Sequence, residues 1–218
     1  MFSDPFSRAQ LSYLALGDSY TIGEGVDAAG RWPLQLATAL RANGIDLADP
    51  RIIATTGWTT DELSAAMDAA EPLGTWDFVS LLIGVNNQYR GRGVDDYVGE
   101  FHRLLRRAIA LAGDRADRVM VLSIPDWGAT PFAFASGRDR SAIAADLDAY
   151  NAAAHALCAA HGVAFVDITG ISRDGGDAPE MLADDALHPS ARQYARWTGA
   201  ALPVAVAAMR DRGRRDAT

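Results

Sequence analysis

Two kinds of apolar pattern alternate along this chain. Five short runs carry consecutive apolar residues: Ser12 to Leu16, Arg51 to Thr55, Phe78 to Ile83, Arg118 to Ser123 and Val163 to Ile168. The third, Phe78-Val79-Ser80-Leu81-Leu82-Ile83, is apolar at all but one position. Such a run suits a central parallel strand covered on both faces. Between the runs, apolar residues recur every three or four positions, the spacing that puts them on one face of a helix. A helix read from Trp32-Pro33 carries Leu34, Leu36 and Leu40, and Leu63 and Met67 lie on one face of the next. Tyr97, Phe101, Leu104, Leu105, Ala108 and Ile109 do so between about Asp95 and Ala112. Ile143, Leu147, Tyr150, Ala154 and Leu157 do so between about Arg138 and Ala160, and Tyr194, Trp197 and Val204 in the last stretch.

Local signals punctuate this pattern. Pro33 suits a first helical turn, where its missing N–H costs nothing, and Asn43-Gly44, Gly113 and Gly162 are helix stops. Thr59-Thr60-Asp61-Glu62 and Ser190 with Gln193 read as capping boxes. Pro203 is expected to kink or interrupt the last helix. Gln88 to Gly93, Trp127 to Gly137 and Thr169 to Ala183 read as loops. Five strands alternating with five helices predict an α/β fold: a parallel sheet with helices on both faces and right-handed crossovers. No repeat or linker divides residues 1–218, so one domain is expected, with 210–218 a polar, frayed end.

Composition narrows the chemistry. All 20 basic residues are arginine, which removes Schiff-base lysines, Ser-Lys dyads and the Walker lysine. The formal net charge of −8 disfavours a nucleic-acid partner. Cys158 is the single cysteine, so an intrachain disulfide is impossible. The opening Met1-Phe2-Ser3-Asp4-Pro5-Phe6 has no basic region followed by an apolar run, and no apolar segment is long enough to span a bilayer. A cytoplasmic protein with no membrane partner is the expectation.

The polar motifs fall where predicted strands end, the edge at which open parallel sheets bind ligands. Ser19 follows the first strand in Gly17-Asp18-Ser19, Gly57 follows the second and Asn86 the third. Asp185 and His188 follow the fifth. A serine nucleophile needs a base, a group that orients the base, and donors for the developing oxyanion. His188 suits the base because imidazole titrates near neutrality. Asp185 can bond one ring nitrogen and leave the other for Ser19. Donors are available in the N–H of Ser19, the N–H of Gly57 and the side-chain amide of Asn86. Asp18 reads as a structural acceptor for loop N–H groups.

Four blocks, taken in order, resemble the SGNH (GDSL-like) hydrolase family. They are Gly17-Asp18-Ser19, Gly57 with Thr59-Thr60, Gly84-Val85-Asn86-Asn87, and Asp185-Ala186-Leu187-His188-Pro189. The resemblance implies a three-layer α/β/α sandwich of five parallel strands in flavodoxin-like order. It implies metal-free ester or thioester hydrolysis through an acyl-enzyme, with no cofactor. Two positions depart from the family pattern: Tyr20 stands where leucine is commonest, and Asn87 where aspartate is usual. Asn87 is then expected to orient its loop.

The function expected is a serine esterase acting on small-molecule acyl esters. A carbohydrate O-deacetylase and a thioesterase or lysophospholipase are the enzymatic alternatives; a small-ligand binding module on the same sheet is the other. Tyr20, Trp58, Asn87, Tyr89, Trp127 and Leu187, with Phe132, are candidates to line the substrate pocket. His155, Cys158 and His161 suggest a metal site at first sight. The two histidines are six positions apart, which points them away from each other on a helix, so a buried cysteine flanked by partly exposed histidines is expected instead. His102 is expected to be exposed.

Overall fold

A computed structural model of the chain describes residues 10–210. The end expected to fray lies outside these residues apart from Arg210. Five strands form one sheet: β1 (Tyr13–Gly17), β2 (Arg51–Ala54), β3 (Phe78–Leu82), β4 (Val119–Leu122) and β5 (Ala164–Val166). Their spatial order is β2-β1-β3-β4-β5 and every neighbouring pair is parallel. This is the flavodoxin-like order, in which the strand sequence reverses beside β1 and opens a crevice between β1 and β3. All five residues of β3 and of β1 are buried, as their apolar runs require.

Nine helices surround the sheet among the described residues: α1 (Ser19–Ile22), α2 (Trp32–Ala42), α3 (Thr60–Ala69), α4 (Val85–Tyr89), α5 (Val94–Leu111), α6 (Pro131–Ala135), α7 (Arg140–His161), α8 (Thr169–Arg173) and α9 (Ala191–Arg210). The long ones form the two outer layers. Helices α2 and α9 pack together on one face, and α3, α5 and α7 on the other. The buried stripe of α5 is Tyr97, Phe101, Leu104, Leu105, Ala108 and Leu111, close to the expected one. The capping box of α3 forms, with the Thr59 N–H donating to Glu62 Oε2 at 2.8 Å.

The short helices were expected to be turns or loops. Each has only four or five residues, too few to show a helical period. Helices α1 and α4 begin directly after β1 and β3 and carry Ser19 and Asn86 in their first turns. Three further expectations change. Pro203 does not interrupt α9. It lies on the solvent face, as does Gly199 four residues earlier, so the carbonyl left without a donor reaches water. Only half of the Ser190–Gln193 box forms: the Gln193 N–H reaches Ser190 Oγ at 3.3 Å, but its amide donates to Ile171 O instead. His102 is half-buried rather than exposed, because α5 and α7 pack together and bring its Nε2 within 2.9 Å of His161 Nε2. His155 is exposed and Cys158 is buried with its pKa pushed up to about 12 by burial.

Candidate active site

The crevice edge is set by the turn after β1. A Cβ on Gly17 would lie 2.2 Å from Thr21 Oγ1 and 2.4 Å from Leu82 O, so only glycine lets α1 fold back this tightly. Asp18 caps that helix by accepting the Tyr20 N–H at 3.1 Å. Its carboxyl is fully buried, and burial raises its pKa to about 7 against the bonds it accepts. Ser19 is therefore the first residue of a helix, its N–H among those that have no intrahelical acceptor. Its side chain opens onto a cavity of about 220 Å³.

Four of the five residues expected to carry the chemistry line this cavity together: Ser19, Gly57, Asn86 and His188. Gly57 has φ +88°, and apart from Arg90 Nη2 at 4.0 Å no atom lies near where a Cβ would stand. Glycine is required there by backbone conformation. The loop around it is tied from several sides. Arg90 Nη2 donates to Gly57 O at 2.7 Å, and Asn86 Nδ2 donates to Trp58 O at 2.9 Å. The second N–H of the Asn86 amide remains for a ligand.

Asp185 and His188 sit on a hairpin-like loop closed by a bridge between Leu182 and Pro189. Asp185 Oδ1 accepts the N–H groups of Leu187 and His188, both at 2.9 Å. Its Oδ2 lies 2.5 Å from His188 Nδ1. Burial pushes the Asp185 pKa up, but the ring and the two N–H groups outweigh it, and the carboxyl titrates below its ordinary range. Ala186 between them has φ +58°, a conformation that costs a non-glycine residue roughly 1 kcal/mol. Its carbonyl accepts the Phe132 N–H at 3.2 Å, which joins this loop to the start of α6. The His188 ring also packs against Tyr20, with centroids 5.8 Å apart.

The remaining wall is apolar: Tyr20, Val85, Tyr89, Trp127, Phe132 and Leu187. Trp127 is fixed by its indole N–H donating to Gln88 Oε1 at 2.9 Å, and Tyr89 meets it edge-on at 5.2 Å. Two pocket candidates are corrected. Trp58 does not line the cavity: its partly buried side chain packs against the core, while its backbone N–H closes a turn onto Thr55 O. Asn87 is fully buried behind Asn86, accepting the Thr60 N–H at 3.0 Å and donating to Thr60 Oγ1 at 2.6 Å. It orients the loop that carries Gly57. Thr56 and Val85 line the cavity without having been singled out, although each adjoins a motif residue. No group of three or more potential metal ligands occurs among the described residues.

The sequence matches the profile of the GDSL-like Lipase/Acylhydrolase family over residues 15–196, from β1 into α9. The chain belongs to that family. It is therefore an ester-bond hydrolase with the family's three-layer fold. No curated protein sequence matches the chain significantly. Solved structures agree on the fold. A lipase/acylhydrolase from Enterococcus faecalis superposes with a TM-score of 0.66 at 20% identity, covering 92% of this chain and 97% of the other. A variant of Axe2, an acetyl xylan esterase from Geobacillus stearothermophilus, gives 0.67 at 20%, covering 89% and 94%. The psychrotrophic esterase EstA from Pseudoalteromonas sp., in a structure inhibited by monoethylphosphonate, gives 0.61 at 17%, covering 95% and 99%. Among the described residues, no helix of this family member is long and apolar enough to cross a membrane.

Proposed function

We propose that this hydrolase cleaves small acyl esters through an acyl-enzyme on Ser19. The observation that carries this reading is the contact of His188 Nδ1 with Asp185 Oδ2 at 2.5 Å, on a ring that lines the same cavity as Ser19. With Nδ1 engaged, Nε2 is the nitrogen left to take the Ser19 proton. Ser19 Oγ then attacks the ester carbonyl. The oxygen that becomes negative is met by the N–H groups of Ser19 and Gly57 and by the Asn86 amide. His188 returns the proton to the departing alcohol, and the acyl group stays on Ser19. Water, deprotonated by His188, attacks the acyl-enzyme and releases the acid, restoring the Ser19 hydroxyl.

A cavity of about 220 Å³ is small among ligand sites, which span roughly 300–1,000 Å³, and its walls are largely apolar. Both points favour a short acyl group. A carbohydrate acetyl ester is the second reading. The aromatic lining of Tyr89, Trp127 and Phe132 suits a sugar ring, and Axe2 is an acetyl xylan esterase.

The test uses aryl acetates and butyrates together with an acetylated xylo-oligosaccharide. Wild type should turn over the aryl esters, and a fluorophosphonate should add its mass to the peptide containing Ser19. Ser19→Ala should show neither, with its melting temperature close to wild type. No turnover and no label on Ser19 would overturn the mechanism. A preference for the acetylated sugar would select the second reading.

A further inference from the structure

We propose that Arg138 makes the mouth of this cavity a recognition site for an anionic group, a carboxylate or its charge equivalent, carried by the ester. The proposal rests on the esterase reading and deepens it by naming a substrate class. Its basis is the position of one exposed guanidinium, stacked on the aromatic wall of the cavity. Arg90, nearest the oxyanion loop, is engaged by Gly57 O and forms an ion pair with Glu62. Arg92 pairs with Asp61, and Arg173 with Asp126 and Asp148. Arg138, like Arg140 two residues on, which donates to Gly128 O, has no carboxylate partner among the described residues; Arg138 is the one of the two stacked on rings that line the cavity.

It lies on the aromatic wall. Its guanidinium carbon is 4.2 Å from the centre of the Tyr89 ring and 5.6 Å from that of Trp127, both of which line the cavity. One donor, Nη1, reaches Tyr89 O at 3.0 Å. A guanidinium has five N–H donors in a planar fork, so the others remain for a ligand. Stacking occupies the face of the fork and leaves its edge, the geometry that bonds a carboxylate with two parallel hydrogen bonds. The stack and the carbonyl contact also hold the side chain in place, which lowers the entropy lost on binding.

The carboxylates nearby restrict where an anion can sit. Asp139 is engaged as the cap of α7, accepting the N–H groups of Ser141 and Ala142 at 2.9 and 3.1 Å. Glu24 accepts a hydrogen bond from Thr56, which lines the cavity as well. Asp146 accepts a hydrogen bond from Gln88 beneath Trp127. An anion is therefore disfavoured beside Thr56, disfavoured in the apolar interior, and favoured over Tyr89. The group recognised is on the part of the ester that projects past Tyr89.

Two matched substrate pairs test this, one for each side of the scissile bond. On the alcohol side, 4-acetoxybenzoate is compared with 4-acetoxybenzamide; on the acyl side, an aryl hemisuccinate with the corresponding aryl succinamate. Steady-state kinetics are measured for wild type, Arg138→Gln and Arg138→Lys at low and high salt. In one pair, Arg138→Gln should lower kcat/KM for the anionic member roughly five- to tenfold more than for its neutral partner. The change should lie in KM and shrink at high salt, and Arg138→Lys should keep part of the preference. Equal effects of Arg138→Gln on both members of both pairs would mean that the side chain only buttresses Tyr89, and would overturn this proposal alone. No turnover of any ester by wild type would overturn the esterase reading and this proposal with it.

Discussion

The floor of the cavity and its aromatic wall are held by different kinds of contact. The floor consists of Ser19, Gly57 and Asn86, and its geometry is set by directional bonds: Asp18 to the Tyr20 N–H, Asn86 to Trp58 O, and Asn87 to Thr60. The wall consists of Tyr89, Trp127 and Phe132. Only Trp127 is pinned by a hydrogen bond of its ring; Tyr89 is 40% exposed and rests on edge contacts and on Arg138. Directional bonds fix atoms to fractions of an ångström, as an oxyanion site needs. Ring contacts tolerate small shifts, which suits a surface that accepts part of a substrate. The floor should therefore govern kcat and the wall KM.

Removing a floor donor is the largest way to break this division. Asn86→Ala should lower kcat by about 10²–10³-fold with little change in KM, since the lost bond strengthens as charge develops on the carbonyl oxygen. It also leaves Trp58 O without its donor, so circular dichroism and a melting curve should accompany the kinetics. If kcat stays within a few-fold of wild type, the floor does not stabilise the oxyanion and does not differ from the wall in its role.

A second effect reaches the floor from below, through stability. The Asp18 carboxyl is fully buried, its Oδ2 has no partner among the described residues, and burial raises its pKa from 3.8 to about 7. An aspartate in the unfolded chain loses its proton near its ordinary value, whereas the folded protein keeps this one until about pH 7. The stability from Asp18 is thus full below about pH 4, falls as pH rises through 4 to 7, and is lost above that window. Integrated over the window, the loss is a few kcal/mol at most. Asp18→Asn can still accept the Tyr20 N–H and carries no charge. Denaturant titrations from pH 4 to 8 should show a flatter profile for Asp18→Asn and a stability above that of wild type at pH 8. An unchanged slope would mean that Asp18 is charged throughout.

These two halves were not equally legible in the sequence. The floor was, because each of its residues directly follows an apolar run, and a parallel sheet delivers the ends of neighbouring strands to one edge. Even so, Asn87 could be placed behind Asn86 only through its contacts with Thr60, 27 positions earlier. The wall was legible as aromatic content and no further. Trp58 and Trp127 look alike in sequence, each in a loop beside a strand end. One packs its side chain against the core; the other lines the cavity with its indole held by Gln88, 39 positions away. The Arg138–Tyr89 contact spans 49 positions and has no period or motif to announce it. Helices α1, α4, α6 and α8 escaped for a different reason: at four or five residues they are cooperative only within the tertiary fold.

The smallest expected effect tests whether wall and floor are separable at all. Phe132 lines the cavity through its ring, but its N–H holds Ala186 O at 3.2 Å, and Ala186 lies between Asp185 and His188. Phe132→Ala removes the ring and keeps the N–H. If the wall only shapes the pocket, kcat for an aryl acetate should stay within about twofold of wild type. The kcat/KM ratio of butyrate to acetate should rise roughly three- to tenfold as the pocket lengthens, a change of the size that one or two methylenes produce in an apolar site. A fall in kcat for acetate larger than the change in that ratio would have another meaning. The left-handed turn at Ala186 would then depend on the packing of Phe132 as well as on its N–H, and the wall would help to hold His188 in place.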